Sequence, residues 1–384
     1  MSGAGRATTP LGLYIHWPFC VSKCPYCDFN SHVRDHVDQQ AWREALLADL
    51  RYEAALTSGH ELRSIFFGGG TPSLMPPETV AALIDAATGL WPVAADLEIT
   101  LEANPSSVEA DRFADIAHAG VNRLSLGMQS LDDAALRFLG RAHGVAEGLA
   151  ALDVAQRQFD RVTFDLIYAL PDQSLAAWEA MLRRALGFGT THLSLYQLTI
   201  EAGTRFATLV QQGQFIPKDA DEAADFFELT QQVTADAGLP AYEVSNHAAV
   251  GQESRHNLIY WRYQDYAGIG PGAHGRRGGL ATTRHRKPEN WTAAMARHGH
   301  GMQEEVLLLP QERAAERLLM GIRLVEGLDV PAADAPHINW DQVDRLTTQG
   351  LMTRQGNHIA ATANGMLVLN ALIEACFKDD AHGA

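Results

Sequence analysis

Three of the chain's four cysteines, Cys20, Cys24 and Cys27, fall within eight residues. Spacings of three and two intervening residues let a looping backbone aim successive thiolates at one inorganic centre. Three sulfurs leave one position of such a centre without a protein ligand, and the remaining thiol, Cys376, is almost the whole chain away. Two centres suit the pattern. A structural zinc could be completed as a Cys3His site by His16 or His32. A four-iron cluster would instead keep one iron open to a small ligand. A disulfide fits less well, because pairing two of the neighbours strands the third.

The rest of the chain bounds what that centre can serve. At 384 residues there is room for one large domain and a smaller one. A formal net charge of -16 argues against a surface that wraps nucleic acid, so no nucleic-acid partner is expected. Proteins, small molecules or pigments are the expected partners. The opening Met1–Pro10 has no apolar run of signal-peptide length, and the longest aliphatic run, Val306–Leu309, is too short for a bilayer. These features predict a cytoplasmic protein with no membrane-spanning segment, and sparse cysteine fits a reducing compartment.

Short β-rich runs recur through the first half, at Leu13–Trp17, Ser64–Phe67, Leu97–Leu101, Arg123–Leu126, Val162–Tyr168 and His192–Leu198. Each is followed by a segment that can hold a helix. Asp38 is a plausible N-cap for one running to Thr57, with Trp42, Leu46 and Leu50 at one-turn spacing, and Pro76-Pro77 signals the start of the next. Strand and helix alternating at a period of about 35 residues predicts parallel β/α units. Six such units form an incomplete barrel, in which reactive groups lie where strands end.

Several polar residues fall at those ends. Gly68, Gly69 and Gly70 before Thr71 allow a small molecule to meet the backbone, although a glycine triplet alone also reads as a tight turn. Glu102 closes the third strand, Gln129 the fourth, and Arg141 follows in the next helical region. Each alone reads as a solvated or capping residue. Asp165 is different: it sits inside the apolar run of the fifth strand and needs a partner if it points inward.

Beyond Thr199 the alternation fades. A helix capped by Asp219 leads toward Arg255-His256-Asn257-Leu258-Ile259-Tyr260-Trp261, where helical spacing would put His256 and Tyr260 on one face. The glycines of Tyr266–His274 do not make a dinucleotide fingerprint, because neither a preceding strand nor a following helix is convincing. From Pro310 the chain reads as a compact helical module. Its helices are expected over Arg313–Val325, Trp340–Thr348 and Met366–Phe377, with a hairpin over Leu351–Ala360 turning at Gly356 and Cys376 in its core.

With Tyr14-Ile15-His16-x-Pro18-Phe19 ahead of the cysteines, the chain resembles the radical S-adenosylmethionine (SAM) proteins. Within them it is similar to the branch of oxygen-independent coproporphyrinogen III dehydrogenase (HemN), and most to the HemW-type haem chaperones. The resemblance covers nearly everything after about residue 11. It implies an α/β fold: a partial (β/α)6 TIM-like barrel with a smaller, mainly helical, winged-helix-like C-terminal domain. The implied divisions are 1–205 for the radical SAM core, 206–309 for a linking region and 310–384 for the C-terminal domain.

The same resemblance implies a [4Fe-4S] cluster on Cys20, Cys24 and Cys27, with SAM held by Tyr14, Tyr26, Gly69, Gly70, Thr71, Glu102, Gln129, Arg141 and Asp165. In such proteins the open iron chelates SAM, and an electron from the cluster cleaves it to methionine and a deoxyadenosyl radical. The His256-Asn257-x-x-Tyr260-Trp261 pattern matches the HemW type and implies haem contacts there, since imidazole and phenolate both ligate haem iron. The bland alternative is that these aromatics pack between barrel and second domain, with His256 bonded internally.

Two departures separate the relatives. The dehydrogenases carry a further cysteine two residues after the third ligand, where this chain has Phe29, and they have a longer segment before the first strand. Both point to a haem chaperone that passes haem to acceptor proteins, membrane-associated respiratory enzymes among them, working in the cytoplasm or at the membrane surface. The alternatives are the dehydrogenase itself and a radical methyltransferase acting on haem. The electron donor is not legible.

Overall fold

The computed structural model describes residues 8–34 and 36–377, so most of the Met1–Pro10 opening lies outside the described residues. One eleven-stranded sheet organises the chain. Its first six strands are β1 (Thr9–Trp17), β2 (His60–Gly69), β3 (Val93–Ala103), β4 (Arg123–Gln129), β5 (Arg161–Tyr168) and β6 (His192–Gln197), parallel and in chain order. The sheet then continues on both sides. β7 (Asn246–Ala248) runs antiparallel beside β6. On the other side β8 (Asp265–Ile269) lies parallel to β1, with Tyr14 opposite Gly268, and is followed by the antiparallel strands β9 (His274–Arg277), β10 (Leu280–Arg284) and β11 (Met302–Leu307).

The six parallel units expected from the sequence are all present, five of their strands longer than the apolar runs suggested and β6 one residue shorter. β1 starts four residues earlier, because Leu11 is wholly buried while the polar ends still pair with β2. The fading pattern after Thr199 does not end the sheet. β8 is a five-residue strand holding Gly268, a composition with little strand signal of its own, and it forms because β1 offers it a free parallel edge.

Helices cover the sheet where the caps predict them. α1 (Gln39–Leu56) starts at Asp38, whose carboxylate accepts from the Ala41 N–H, and buries Leu46 and Leu50 on the sheet. Burying each of these leucines stabilises the fold by about 2 kcal/mol. Trp42 on the same helix stacks on Trp291, with centroids 5.0 Å apart, and meets Trp17 and Phe19 edge-on. α1 also carries two buried acids. Asp49 accepts from Gly270 N and Gly301 N, each at 3.1 Å, and Arg284 donates to both Asp49 and Glu53. Arg277 also pairs with Glu53, and the network fixes the Gly-rich segment after β8 against α1.

The C-terminal module has its own core, built on Leu318, Ile322, Val343, Met352, Ile359 and Cys376. Its helix over Trp340–Thr348 and the hairpin at Gly356 (φ 64°) agree with the sequence reading. Three details differ. A third strand, Leu328–Asp329, joins the hairpin. The first helix runs Pro310–Gly321, and it ends where a side chain on Gly321 would meet Leu328 Cβ at 2.7 Å. The final helix is broken at Val368 (φ -120°, ψ 27°) into Ala363–Leu367 and Leu369–Ala375. Among the described residues no helix is long and apolar enough to cross a membrane.

Candidate functional site

β1 ends at Trp17 and the chain enters the cysteine loop, which is tied to the start of the next β/α turn. Gly70 N donates to Trp17 O at 2.7 Å and Thr71 N to Phe19 O at 2.8 Å, so the loop continues the β1–β2 pairing. The glycines before Thr71 are required by this fit. A Cβ on Gly68 would lie 2.8 Å from Tyr14, one on Gly69 2.7 Å from His16, and one on Gly70 2.6 Å from Phe19 O and 3.0 Å from Cys20 Sγ. The triplet therefore lets protein backbone approach protein first. Gly69 also lines a cavity, so a ligand contact remains available to it.

All three cysteine thiols of the loop are partly exposed and none is in a disulfide. Burial pushes the Cys20 and Cys27 thiols up. Hydrogen bonds reach two of the sulfurs: Thr71 Oγ1 donates to Cys20 at 3.6 Å and Arg141 Nη1 to Cys24 at 3.4 Å. Of the two histidines considered for a zinc site, His16 has both ring nitrogens bonded and His32 one. His16 is buried, with Nδ1 bonded to the Tyr14 hydroxyl and Nε2 to Asn30 O, and His32 bonds Asn30 Oδ1. Among the described residues no three His, Cys, Asp or Glu side chains gather tightly enough for a single metal ion. Cys376 is buried against Met352 in the other core. Three thiols on one loop without a fourth ligand fit a cubane with one uncovered corner better than a lone tetrahedral ion.

Around the loop the strand-end residues form two groups. The first is a chain of donors. Arg141 Nη2 bonds Asn104 Oδ1 (2.6 Å) and Gly127 O (2.9 Å), and Asn104 Nδ2 reaches Thr71 Oγ1 (3.3 Å). Gln129 joins it over Gly127, where any Cβ would meet Gln129 Nε2 at 3.0 Å and Arg141 Nη2 at 3.3 Å. Gln129 holds a left-handed φ of 63° at a break in the β4–β5 register, a strained geometry for a residue with a side chain. Tyr26 packs on Phe206, with its hydroxyl beside Arg141 and Cys24. Arg141 Nε is buried without a partner, a donor left over for an acceptor such as a ligand carboxylate.

The second group lies inside the barrel. Tyr14, Glu102 and Asp165 line a cavity of about 220 Å³ together with Ser125, Ser194 and Asn257. Glu102 accepts from Gly69 N at 3.3 Å, and the part of it not covered by protein faces this cavity and a larger neighbour. Burial raises both carboxyls, Asp165 to about 6 and Glu102 to about 8. Asp165 is eased by the hydroxyls of Ser194 and Ser125 and by Arg123 and Arg141, so it ionises first. Its charge then adds to burial in holding a proton on Glu102.

The larger cavity, about 580 Å³, opens beside the cysteine loop and shares Tyr14, Glu102 and Tyr260 with the smaller one. Phe29, Trp261, Tyr266 and Met320 are among its apolar walls, Met320 coming from the C-terminal module. Tyr260 and Trp261 arrive on a short helix, Arg255–Trp261, which is placed by a residue the sequence reading passed over. Glu98, wholly buried on β3, accepts from His256 N at 3.1 Å and is paired with Arg161 and Arg123. Although burial opposes it, Arg123 and Arg161 hold the Glu98 carboxyl below its usual range. The alternation of β3 was its only signal.

His256 shares a face with Tyr260 as helical spacing required, but it is not open to a ligand. Its Nδ1 bonds Ser64 Oγ and its Nε2 the Tyr260 hydroxyl, each at 2.7 Å, and the ring is buried. The internally bonded alternative describes it: the imidazole positions Tyr260. Asn257 faces the smaller cavity, away from Trp261 in the larger one. The Gly-rich segment closes the far wall. Gly270 (φ 89°) and Gly272 (φ 78°) leave no room for side chains against His16 O and Asn30, and Asn30 Nδ2 bonds Pro271 O and Arg286 O, each at 2.9 Å.

A parallel sheet carrying a three-cysteine loop at the end of its first strand, with polar groups at the next strand ends, defines a radical SAM protein. The Radical SAM superfamily model matches residues 14–185 and the HemN C-terminal domain model residues 308–368. Superfamily membership implies a [4Fe-4S] cluster and SAM. The fold is that of coproporphyrinogen III oxidase (HemN) from Escherichia coli, which is 22% identical, with a TM-score of 0.78 over 97% of this chain and 91% of that one.

Sequence relatives are more specific. Heme chaperone HemW of Escherichia coli is 39% identical over 95% of this chain and 97% of its own length. Heme chaperone HemW of Mycobacterium tuberculosis is 34% identical over 95% and 94%. The mouse mitochondrial radical S-adenosyl methionine domain-containing protein 1 is 39% identical over 96% and 87%. The chain belongs to the HemW family.

Proposed function

We propose that this protein binds haem in its larger cavity and transfers it to acceptor proteins, with a [4Fe-4S] cluster on Cys20, Cys24 and Cys27 and SAM over the adjoining strand ends. The observation that carries the reading is the cavity itself: about 580 Å³, walled by Phe29, Trp261, Tyr266 and Met320, with Arg276 and Arg286 also on its lining. A flat apolar pigment with two carboxylates asks for that combination. Relatives named heme chaperone support the choice of pigment.

When bound, the cluster supplies an iron that chelates the amino and carboxylate groups of SAM. The chain's own residues do the rest. Arg141 donates to Cys24 Sγ and offers its orphan Nε to a carboxylate, while Gln129 beside it presents an amide donor and acceptor. Protonated Glu102 and ionised Asp165 give the inner cavity one acid that donates and one that accepts, a pairing suited to sugar hydroxyls. Tyr26, Gly69, Gly70 and Thr71 line the approach between loop and strands. His256 and Asn257 hold the short helix that presents Tyr260 and Trp261 to the pigment.

Acceptors are proposed to be respiratory enzymes, met in the cytoplasm or at the membrane surface. The test is anaerobic reconstitution of the cluster, followed by haem titration in parallel with coproporphyrinogen, SAM and reductant. Stoichiometric haem uptake without coproporphyrinogen loss is the expected result. Formation of protoporphyrinogen would overturn it in favour of the dehydrogenase.

A further inference from the structure

Haem binding requires a donor for the iron, and the histidine singled out by its motif is occupied. We propose that His274, on the opposite wall of the cavity, is the axial ligand, with Arg276 and Arg286 receiving the propionates. This rests on the reading that the cavity holds haem.

Three histidines line the two cavities, His16 and His274 the larger and His256 the smaller. His16 and His256 are buried, and both nitrogens of each are already bonded. His274 is exposed, lines the cavity, and its ring makes no hydrogen bond or ion pair among the described residues. Its backbone, by contrast, is rigidly placed. It opens β9, pairs with Thr283, and its carbonyl sits where a side chain on Gly268 would be, 1.8 Å from the ideal Cβ position. A fixed backbone carrying an uncommitted imidazole into an apolar slot is the arrangement that ligation needs. Partial burial and the nearby Arg286 lower its pKa, which keeps the ring neutral and a nitrogen lone pair available at neutral pH.

The cations are disposed differently. Arg286 is exposed on the rim and has no ion-pair partner among the described residues. Arg276 is buried, with its guanidinium 3.6 Å from the centre of the Tyr263 ring, Nη2 on Gln264 O, and Glu316 at 3.7 Å from Nη1. Its Nε is left without a partner. That orphan donor, on a side chain locked by its neighbours, is suited to a carboxylate oxygen from a bound molecule. Phe29, 61% exposed beside the cysteine loop, completes the slot as an apolar face with no protein cover.

The experiment titrates ferric haem into the anaerobically reconstituted full-length protein and into His274→Ala and His256→Ala variants, reading the Soret band, the electron paramagnetic resonance of the haem iron and affinity. Cluster content and circular dichroism check that each variant is folded. His274→Ala is expected to change the haem spin signature and weaken binding by roughly tenfold or more, with added imidazole restoring the wild-type spectrum. His256→Ala, which frees the Tyr260 hydroxyl, is expected to weaken haem binding without changing the spin signature of the bound iron. A His274→Ala protein with wild-type spectrum and affinity would overturn the ligand assignment while leaving haem binding intact. If the wild-type protein takes up no stoichiometric haem, the functional reading fails and the ligand assignment with it.

Discussion

Replacing Glu102 by Gln should make the protein more stable in alkaline solution, an unusual outcome for a residue at a binding site. In the fold the carboxyl titrates near 8, held there by burial and by the charge of Asp165, against an ordinary value of 4.5. Between those two pH values the folded chain holds a proton that the unfolded chain has released. The stability this group lends is therefore complete below pH 4.5 and is lost as pH rises through 8. Each pH unit of that interval corresponds to about 1.4 kcal/mol, so the full loss approaches roughly 5 kcal/mol. Water in the adjoining cavities screens the charge and reduces this to about 2–5 kcal/mol. Glutamine keeps an oxygen for Gly69 N and removes the titration. Urea unfolding of wild type and Glu102→Gln under the same anaerobic conditions at pH 5 and pH 9 measures the difference: the wild type should lose the larger share. Parallel pH profiles for the two proteins would refute the argument, and Asp165→Asn should shrink the wild-type loss and end it at a lower pH by removing the neighbouring charge.

Cys24→Ala should lose iron, labile sulfide and the visible absorption of the cluster together; unchanged iron after reconstitution would contradict the ligand assignment. Glu98→Ala leaves Arg161 and Arg123 without their buried counter-charge and the short aromatic helix without its tie to β3. A loss of about 3–5 kcal/mol by denaturant unfolding is expected, and a loss under 1 kcal/mol would mean solvent reaches the pair. Gln129→Gly should relieve the left-handed backbone by about 1 kcal/mol while weakening SAM binding measured by calorimetry, so gain and loss in opposite directions are the signature to look for.

The barrel was legible because its strands are buried on both faces and read as apolar runs, and because Asp38, Asp219 and Asn339 mark helix starts unambiguously. The cysteine loop was legible from spacing alone. What lies beyond residue 200 was not, for a physical reason. β8 to β11 carry exposed or polar faces, and their pairing is decided by the open edge of β1 rather than by local pattern. At the site, motif reading singled out His256, Tyr260 and Trp261 but could not decide whether the His256 ring is open or bonded internally. Ser64, which fills its Nδ1, is 192 residues earlier in the chain. Asn104 and Glu98 escaped notice because each acts through partners far from its own stretch.

The pairing of Tyr14 with Gly268 also orders events during synthesis. When the cysteine loop leaves the ribosome, its neighbours on β2 follow within some fifty residues, whereas β8 and the wall that Asn30 grips appear only after two-thirds of the polypeptide has been made. Until then one flank of the first strand is bare and the thiols face an open basin. The thiols stay partly exposed in the finished fold, but their surroundings are most open while translation proceeds.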